Sequence, residues 1–252
     1  MKNNIIIHIP HSSFYIPQKY KKLFYLTKSE LKKEQLKMTD SYTNELFDLK
    51  NAPKIIFPIS RLICDVERFR DEKDEEMTNR GMWVCYTKTS DLKPLKKVVK
   101  SHKTEILYRY YDKHHIKFSK FVENLVDKYK KCLIIDAHSF SSKILPYEIH
   151  SNDSRPDICI GTDEFHTPKY IEEFLTKSFR NFGYIVEVNN PFCGSIVPLE
   201  YYRQNKNVMS IMIEINRSLY MDEESGSKKK DFIILKENIS KILTELLKNR
   251  FK

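Results

Sequence analysis

The feature that most constrains this chain is a set of short apolar runs, each of strand length and rich in β-branched residues. Four stand out: Ile5–Ile9, Lys54–Ile59, Cys132–Asp136 and Ser210–Ile215. Asp157–Ile160 and Tyr184–Val188 are weaker examples of the same kind. Runs this short and this continuously apolar suit strands buried on both faces. Between them lie stretches of helical character: Ser29–Leu49, with Asp40 near its middle, Leu95–Tyr129, Lys169–Phe182 and Asp231–Leu247. Thr167-Pro168 introduces the third as a cap followed by a proline suited to the first helical position. Strands alternating with helices predict an α/β fold: one domain over residues 1–252, with a mostly parallel mixed sheet flanked by helices on both faces. No linker, repeat or low-complexity segment interrupts it. The charged segments 70–79 and 221–230 read as loops, the first a candidate lid.

Composition narrows the function. There is no apolar run of membrane-spanning length, and residues 1–10 lack the basic segment and cleavage site of a secretory leader. A cytoplasmic protein is expected. The five cysteines are odd in number and include no CxxC pair, which argues against a disulfide framework and a cysteine-built zinc site. The net charge of +10 raises the question of nucleic acid. The lysines are scattered through the chain and no aromatic–basic motif accompanies them, so a bias of composition explains the charge, and no nucleic-acid or membrane partner is expected.

Three strands run into polar residues of useful types. The first leads to Pro10-His11-Ser12-Ser13, the third to Asp136-Ala137-His138-Ser139, and the last to Glu214-Ile215-Asn216-Arg217. In parallel sheets the carboxyl ends of the strands converge on the ligand-binding crevice. Two histidines and a carboxylate delivered there form a plausible metal and general-base constellation. Each also has a structural reading: a cap for His11, a carbonyl-bonded core residue for His138. Ser12, Ser139 and Cys193 are alternative nucleophiles, but no GxSxG elbow is present. In Ser60–Phe69, Arg61 and Arg68 suit a substrate carboxylate, while Asp65 suits an ion pair holding the loop. Arg203 is a weaker candidate for substrate. His114 and His115 are adjacent on a helix and point about 100° apart, so they do not readily serve one metal, and one of them, His115, is expected to face the crevice.

Taken in order, the motifs resemble those of the N-formylglutamate amidohydrolase family. They are His-x-Pro-His-Ser-Ser, Thr39-Asp40, Ser-Arg-x-x-x-Asp-x-x-Arg, Arg80-Gly81, Tyr-x-x-x-His-His, Asp-Ala-His-Ser, Asn190-Pro191-Phe192-x-Gly194 and Ile-Glu-Ile-Asn-Arg. The resemblance extends from the first strand to about Tyr220, and Asp-Ala-His-Ser and the late strand glutamate also look like counterparts in zinc carboxypeptidases. It implies a zinc-type hydrolase of that fold. The reaction is hydrolysis of the N-formyl, or another N-acyl, amide of an acidic amino acid such as N-formyl-L-glutamate. The partner is then a small anionic substrate and the cofactor zinc or another divalent metal. By position, His11 and His138 match metal ligands. Carboxypeptidases supply a carboxylate three residues after the first histidine, where this chain has Phe14. Asp40 therefore becomes the expected third ligand, with Asp136 the alternative or a partner orienting His138. Glu214 matches the general base. Arg61 and Arg68 match groups that polarise the carbonyl or hold substrate carboxylates. The family usually has His-Ser-Gly at His11-Ser12-Ser13 and Asp-Leu-Asn-Arg at Asp65-Val66-Glu67-Arg68. The second departure bears on the substrate more than on the reaction. A catalytically silent metabolite-binding protein is the competing reading.

Overall fold

The computed structural model describes residues 4–50, 52–149 and 155–249. Its strands are β1 (Ile5–Ile9), β2 (Lys54–Ile56), β3 (Cys132–Phe140), β4 (Ile158–Gly161), β5 (Val186–Val188) and β6 (Val208–Asn216). Its helices are α1 (Gln18–Lys21), α2 (Lys28–Met38), α3 (Thr43–Leu46), α4 (Lys100–Ile106), α5 (Asp112–Tyr129), α6 (Lys169–Asn181) and α7 (Phe232–Asn249). The strands form one sheet in the order β2-β1-β3-β6-β4-β5. All neighbours are parallel except β4 and β6, so the sheet is mixed and mostly parallel, as expected from the alternation of elements.

Successive side chains of a strand point to opposite faces. On β1, β3 and β6 this sorts the chain cleanly. Ile5, Ile7, Ile9, Leu133, Ile135, Ala137, Ile211, Ile213 and Ile215 pack against α3, α6 and α7 in the largest core cluster. Ile6, Cys132, Ile134 and Val208 face the other way and pack on Phe118 and Val122 of α5. The same face continues toward the strand ends as His8, Asp136, His138 and Glu214. Register aligns them, with His8 opposite Asp136 and His138 opposite Glu214. One face of each strand thus changes along its length from apolar packing to titratable groups.

Several boundaries depart from the sequence reading. β2 stops at Ile56 instead of Ile59, because Pro58 has no N–H to continue the ladder. The expected helix Ser29–Leu49 divides in two. α2 starts from a capping box in which Thr27 and Glu30 satisfy each other's backbone groups. It ends at Met38, Thr39 is extended, and the Asp40 N–H donates to the His11 carbonyl at 3.0 Å. Asp40 therefore lies in a loop tied to the end of β1, not within a helix. The long stretch Leu95–Tyr129 begins as helix only at Lys100, and a π-helical turn at Leu107–Tyr111 separates α4 from α5. Such a turn re-phases the faces that follow it. Here Tyr111 and His115 reach the loop after β2, their Oη and Nε2 donating to the carbonyls of Arg68 and Val66 at 2.7 and 2.9 Å.

The candidate lid is stapled down. Arg70 pairs with Asp112, Lys103 with Glu72, and the Glu75 carboxylate accepts from the backbone N–H groups of Phe69 and Met77 at 2.9 and 3.0 Å. Lys96, 2% exposed, fixes the adjoining turns by donating to the carbonyls of Leu62 and Tyr86.

Burial pushes the Lys96 ammonium down to about 8 from 10.5, against the pull of Cys85 and Cys64. Between these values the unfolded chain binds more protons than the folded one, so stability rises with pH across that window. Urea midpoints of wild type and Lys96→Met, taken below pH 8 and again between pH 8 and 10.5, should show the wild type gaining on the variant. An unchanged difference would show that Lys96 folds with its proton in place.

Candidate active site

A cleft of about 500 Å³ opens over the polar ends of β3 and β6. Its floor includes His11, Asp40, Arg61, Glu67, Arg68, Asp136, His138, Glu214 and Arg217. His11 and His138 are 2% and 3% exposed, with ring centroids 5.1 Å apart. His11 Nε2 lies 2.8 Å from Asp65 Oδ1, while its Nδ1 is buried without a hydrogen-bond partner, 3.7 Å from Asp40 Oδ2. His138 Nδ1 lies 3.0 Å from the same Asp40 oxygen, and its Nε2 is 3.0 Å from Glu67 Oε2 and 3.1 Å from Asp136 Oδ1. Both histidines therefore turn one nitrogen to an outer carboxylate and the other toward Asp40. The second Asp40 oxygen accepts from Arg217 Nη2 at 2.9 Å.

Asp65 organises the other side. Its carboxylate meets His11, Arg61 Nη2 at 2.9 Å, the Tyr86 hydroxyl at 2.5 Å, the Glu67 N–H at 3.0 Å and Arg68 Nε at 3.6 Å. Burial would raise its pKa, but the charges of His11, Arg61 and Arg68 hold it well below the ordinary carboxylate range. Burial acts against Asp40 in the same way and is outweighed by the nearby His11 imidazole, the hydrogen bond with His138 and the charge of Arg217. Glu214 lacks such support. Burial lifts it to about 8, opposed by His138 and reinforced by Asp40, and its Oε2 is buried with no partner.

A second layer lies beneath His138. His8, fully buried, places Nδ1 3.0 Å from Asp136 Oδ1 and 3.4 Å from Glu67 Oε1, and Nε2 2.9 Å from His114 Nε2. Burial and the charges of His8 and His115 hold His114 well below its ordinary pKa, and the two imidazoles share one hydrogen bond between their Nε2 atoms. His115 lines the cleft, and burial lowers it to about 4. Its Nε2 donates to the Val66 carbonyl, which leaves a lone pair on Nδ1.

Of the residues singled out from sequence, His11, Asp40, Arg61, Arg68, His115, His138 and Glu214 all line the cleft. Arg203 does not. It is exposed, its guanidinium lies 5.5 Å from the Tyr202 ring centre, and its backbone N–H donates to His166. A left-handed φ of 54° at Arg203 directs the chain through a turn there, which the residue type alone does not reveal. Asp136 orients His8 and His138 and accepts from the Ile196 N–H at 3.2 Å. Among the described residues, His11, Glu67 and His138 form a group able to hold a metal, as do His8, Glu67 and Asp136. Glu67 and Arg217 escaped the sequence reading as site residues, although both sit inside the motifs of the resemblance. His8, two residues before Pro10, was readable only once its register with Asp136 was known. His150 lies outside the described residues. Among the described residues, none of the histidine contacts in the cleft goes to a serine or cysteine, and Ser139 Oγ accepts from Arg217 Nε.

The profile of the N-formylglutamate amidohydrolase family matches residues 3–221. The chain belongs to this family. The fold agrees. A crystal structure of N-formylglutamate amidohydrolase from Ralstonia eutropha JMP134 superposes with a TM-score of 0.82 at 18% identity, covering 97% of this chain and 93% of that one. The gene product Atu2144 from Agrobacterium tumefaciens gives 0.64 at 18% identity, over 97% and 92%. No curated protein sequence matches the chain. No helix among the described residues is long and apolar enough to cross a membrane.

Removing one partner from a buried charge cluster exposes the rest to an uncompensated interior. Asp65→Ala should therefore cost about 3–5 kcal/mol, with Asp65→Asn milder because it keeps a hydrogen-bonding oxygen. Chemical denaturation of both variants checks this, and a loss below about 1 kcal/mol for Asp65→Ala, as for an exposed pair, would show that the cluster holds together without Asp65.

Proposed function

We propose that the cleft hydrolyses the N-formyl, or another N-acyl, amide of an acidic amino acid such as N-formyl-L-glutamate, with a divalent metal held by His11, His138 and Asp40. The observation that carries this reading is the pairing of two buried histidines, each with one nitrogen on an outer carboxylate and the other toward one shared Asp40 oxygen. A neutral imidazole has a single N–H, so the nitrogen left over needs a cation or a second proton. His11 Nδ1, buried and without a partner, is such a nitrogen. Two imidazoles with a carboxylate form a donor set suited to zinc. Glu67 is the rival third ligand, and Asp136 falls into the orienting role.

When bound, the metal supplies Lewis acidity and makes water a usable nucleophile near neutral pH. The protein groups supply the rest. Glu214, on the strand beside His138, takes the proton of the attacking water at Oε2 and delivers it to the leaving nitrogen. A carboxyl raised by burial is matched to that task. Arg61, half-buried and anchored through Nη2 on Asp65, presents fixed donors to the carbonyl oxygen as charge develops on it. Arg68 is less enclosed, 20% exposed, and binds a substrate carboxylate. His115 offers its Nδ1 lone pair to a substrate donor.

Four variants assign the parts. Mass spectrometry of protein purified without chelator should find near-stoichiometric metal in the wild type and none in His138→Ala. Asp40→Asn should lose metal and Glu67→Gln should keep it; the reverse result would make Glu67 the third ligand. If no form binds added zinc, the metallohydrolase reading fails. Glu214→Gln should keep its metal and lose about 10²–10⁴-fold in kcat on N-formylglutamate. Full activity in that variant would displace Glu214 as the base.

A further inference from the structure

The walls of the cleft differ in chemistry from its floor. One wall is made by Phe69 and Met77, with Leu145 and Tyr147 packed against the same apolar cluster as Met77. The other includes Phe192, which meets Phe140 edge-on at 5.7 Å, and Val197 and Leu199. These walls are built. Glu75 ties the backbone of Phe69 to that of Met77, Trp83 Nε1 donates to the Phe69 carbonyl at 2.8 Å, and Arg80 Nη1 reaches the Pro146 carbonyl at 3.0 Å. Yet Phe69 and Leu199 are 49% and 61% exposed, so the rim leaves apolar area open to water directly beside a polar floor.

A formyl group offers no hydrocarbon and a glutamate side chain only two methylenes capped by a charge, too little to cover that area. The acids Glu75 and Glu76 also line the cleft near Phe69. Lys37, the one lining cation besides the three arginines among the described residues, is paired with Asp91. The walls are therefore poor partners for a carboxylate and good ones for hydrocarbon. A cavity near 500 Å³ lies in the range that encloses a drug-sized ligand, well beyond the needs of a formylated amino acid.

From this we infer that the preferred substrates are N-acyl amino acids carrying an extended apolar arm, on the acyl group or on the amino-acid side chain. The inference rests on the amidohydrolase reading above. The carboxylate is taken by Arg68, the scissile carbonyl lies over Glu214, and the arm runs along Phe69 and Leu199. Water is displaced from the rim, and that binding is available to the transition state.

The test compares three compounds on the metal-replete enzyme: N-formylglutamate, N-hexanoylglutamate with an apolar acyl group, and N-formylleucine with an apolar side chain. At least one of the last two should exceed N-formylglutamate by about tenfold or more in kcat/KM, as an added apolar group in a hydrophobic pocket allows. Which one does so identifies the arm. In Phe69→Ser and Leu199→Ser, both at exposed positions, that ratio should fall by a similar factor. The ratio is insensitive to the fraction of active enzyme, so partial misfolding cannot imitate the result. N-formylglutamate as the best of the three, or a ratio untouched in both variants, overturns the inference and leaves the hydrolase standing. Failure to cleave any of the three overturns both.

Discussion

The Asp65 carboxylate is the interaction on which the site depends. It is fully buried and shared among an imidazole, a guanidinium, a phenol and a backbone amide, with a second guanidinium close by. An unpaired charge in that position would be costly, and the surrounding donors offset the cost only if all arrive together. Those donors come from the end of β1, from the loop after β2 and from the Tyr86 turn. One buried anion thus enforces the meeting of segments far apart in sequence. It also leaves His11 with its other nitrogen facing Asp40, beside the other histidine of the cleft.

Much of this was legible in the chain. Strand length and β-branching located all six strands, and the strand-end rule pointed to His11, His138 and Glu214, which the structure brings to one cleft. What was lost was lost for identifiable reasons. Asp40 falls in an apparently continuous helical stretch, and its helix ends only because Thr39 is extended and the Asp40 amide pairs with β1, a long-range contact. Arg203 was a weaker substrate candidate by residue type, but a left-handed residue in a turn sends it outward. Glu67 and Asp65 are two apart in an irregular segment, where a two-residue period has no strand to act on.

The π-helical turn before α5 illustrates how a local irregularity serves the site. By shifting the phase of the helix it lets Tyr111 and His115 donate to the carbonyls of the segment carrying Glu67 and Arg68. His114, the next residue round, then drops beneath the floor to meet His8. Two adjacent histidines thus take opposite assignments, one lining the cleft and one supporting it from below.

The two-sided character of β1, β3 and β6 carries a consequence for how such a protein diversifies. Residues at one parity pack on α3, α6 and α7, away from the cleft, and the sheet backbone insulates the reactive groups from whatever fills that layer. Mutations there are judged by volume and hydrophobicity alone, and many combinations satisfy that test. Toward the strand ends, residues at the other parity are judged by charge, reach and hydrogen bonding. Drift can therefore rewrite half of each central strand at little cost to chemistry. A shared architecture at 18% identity is the kind of outcome this division of labour permits.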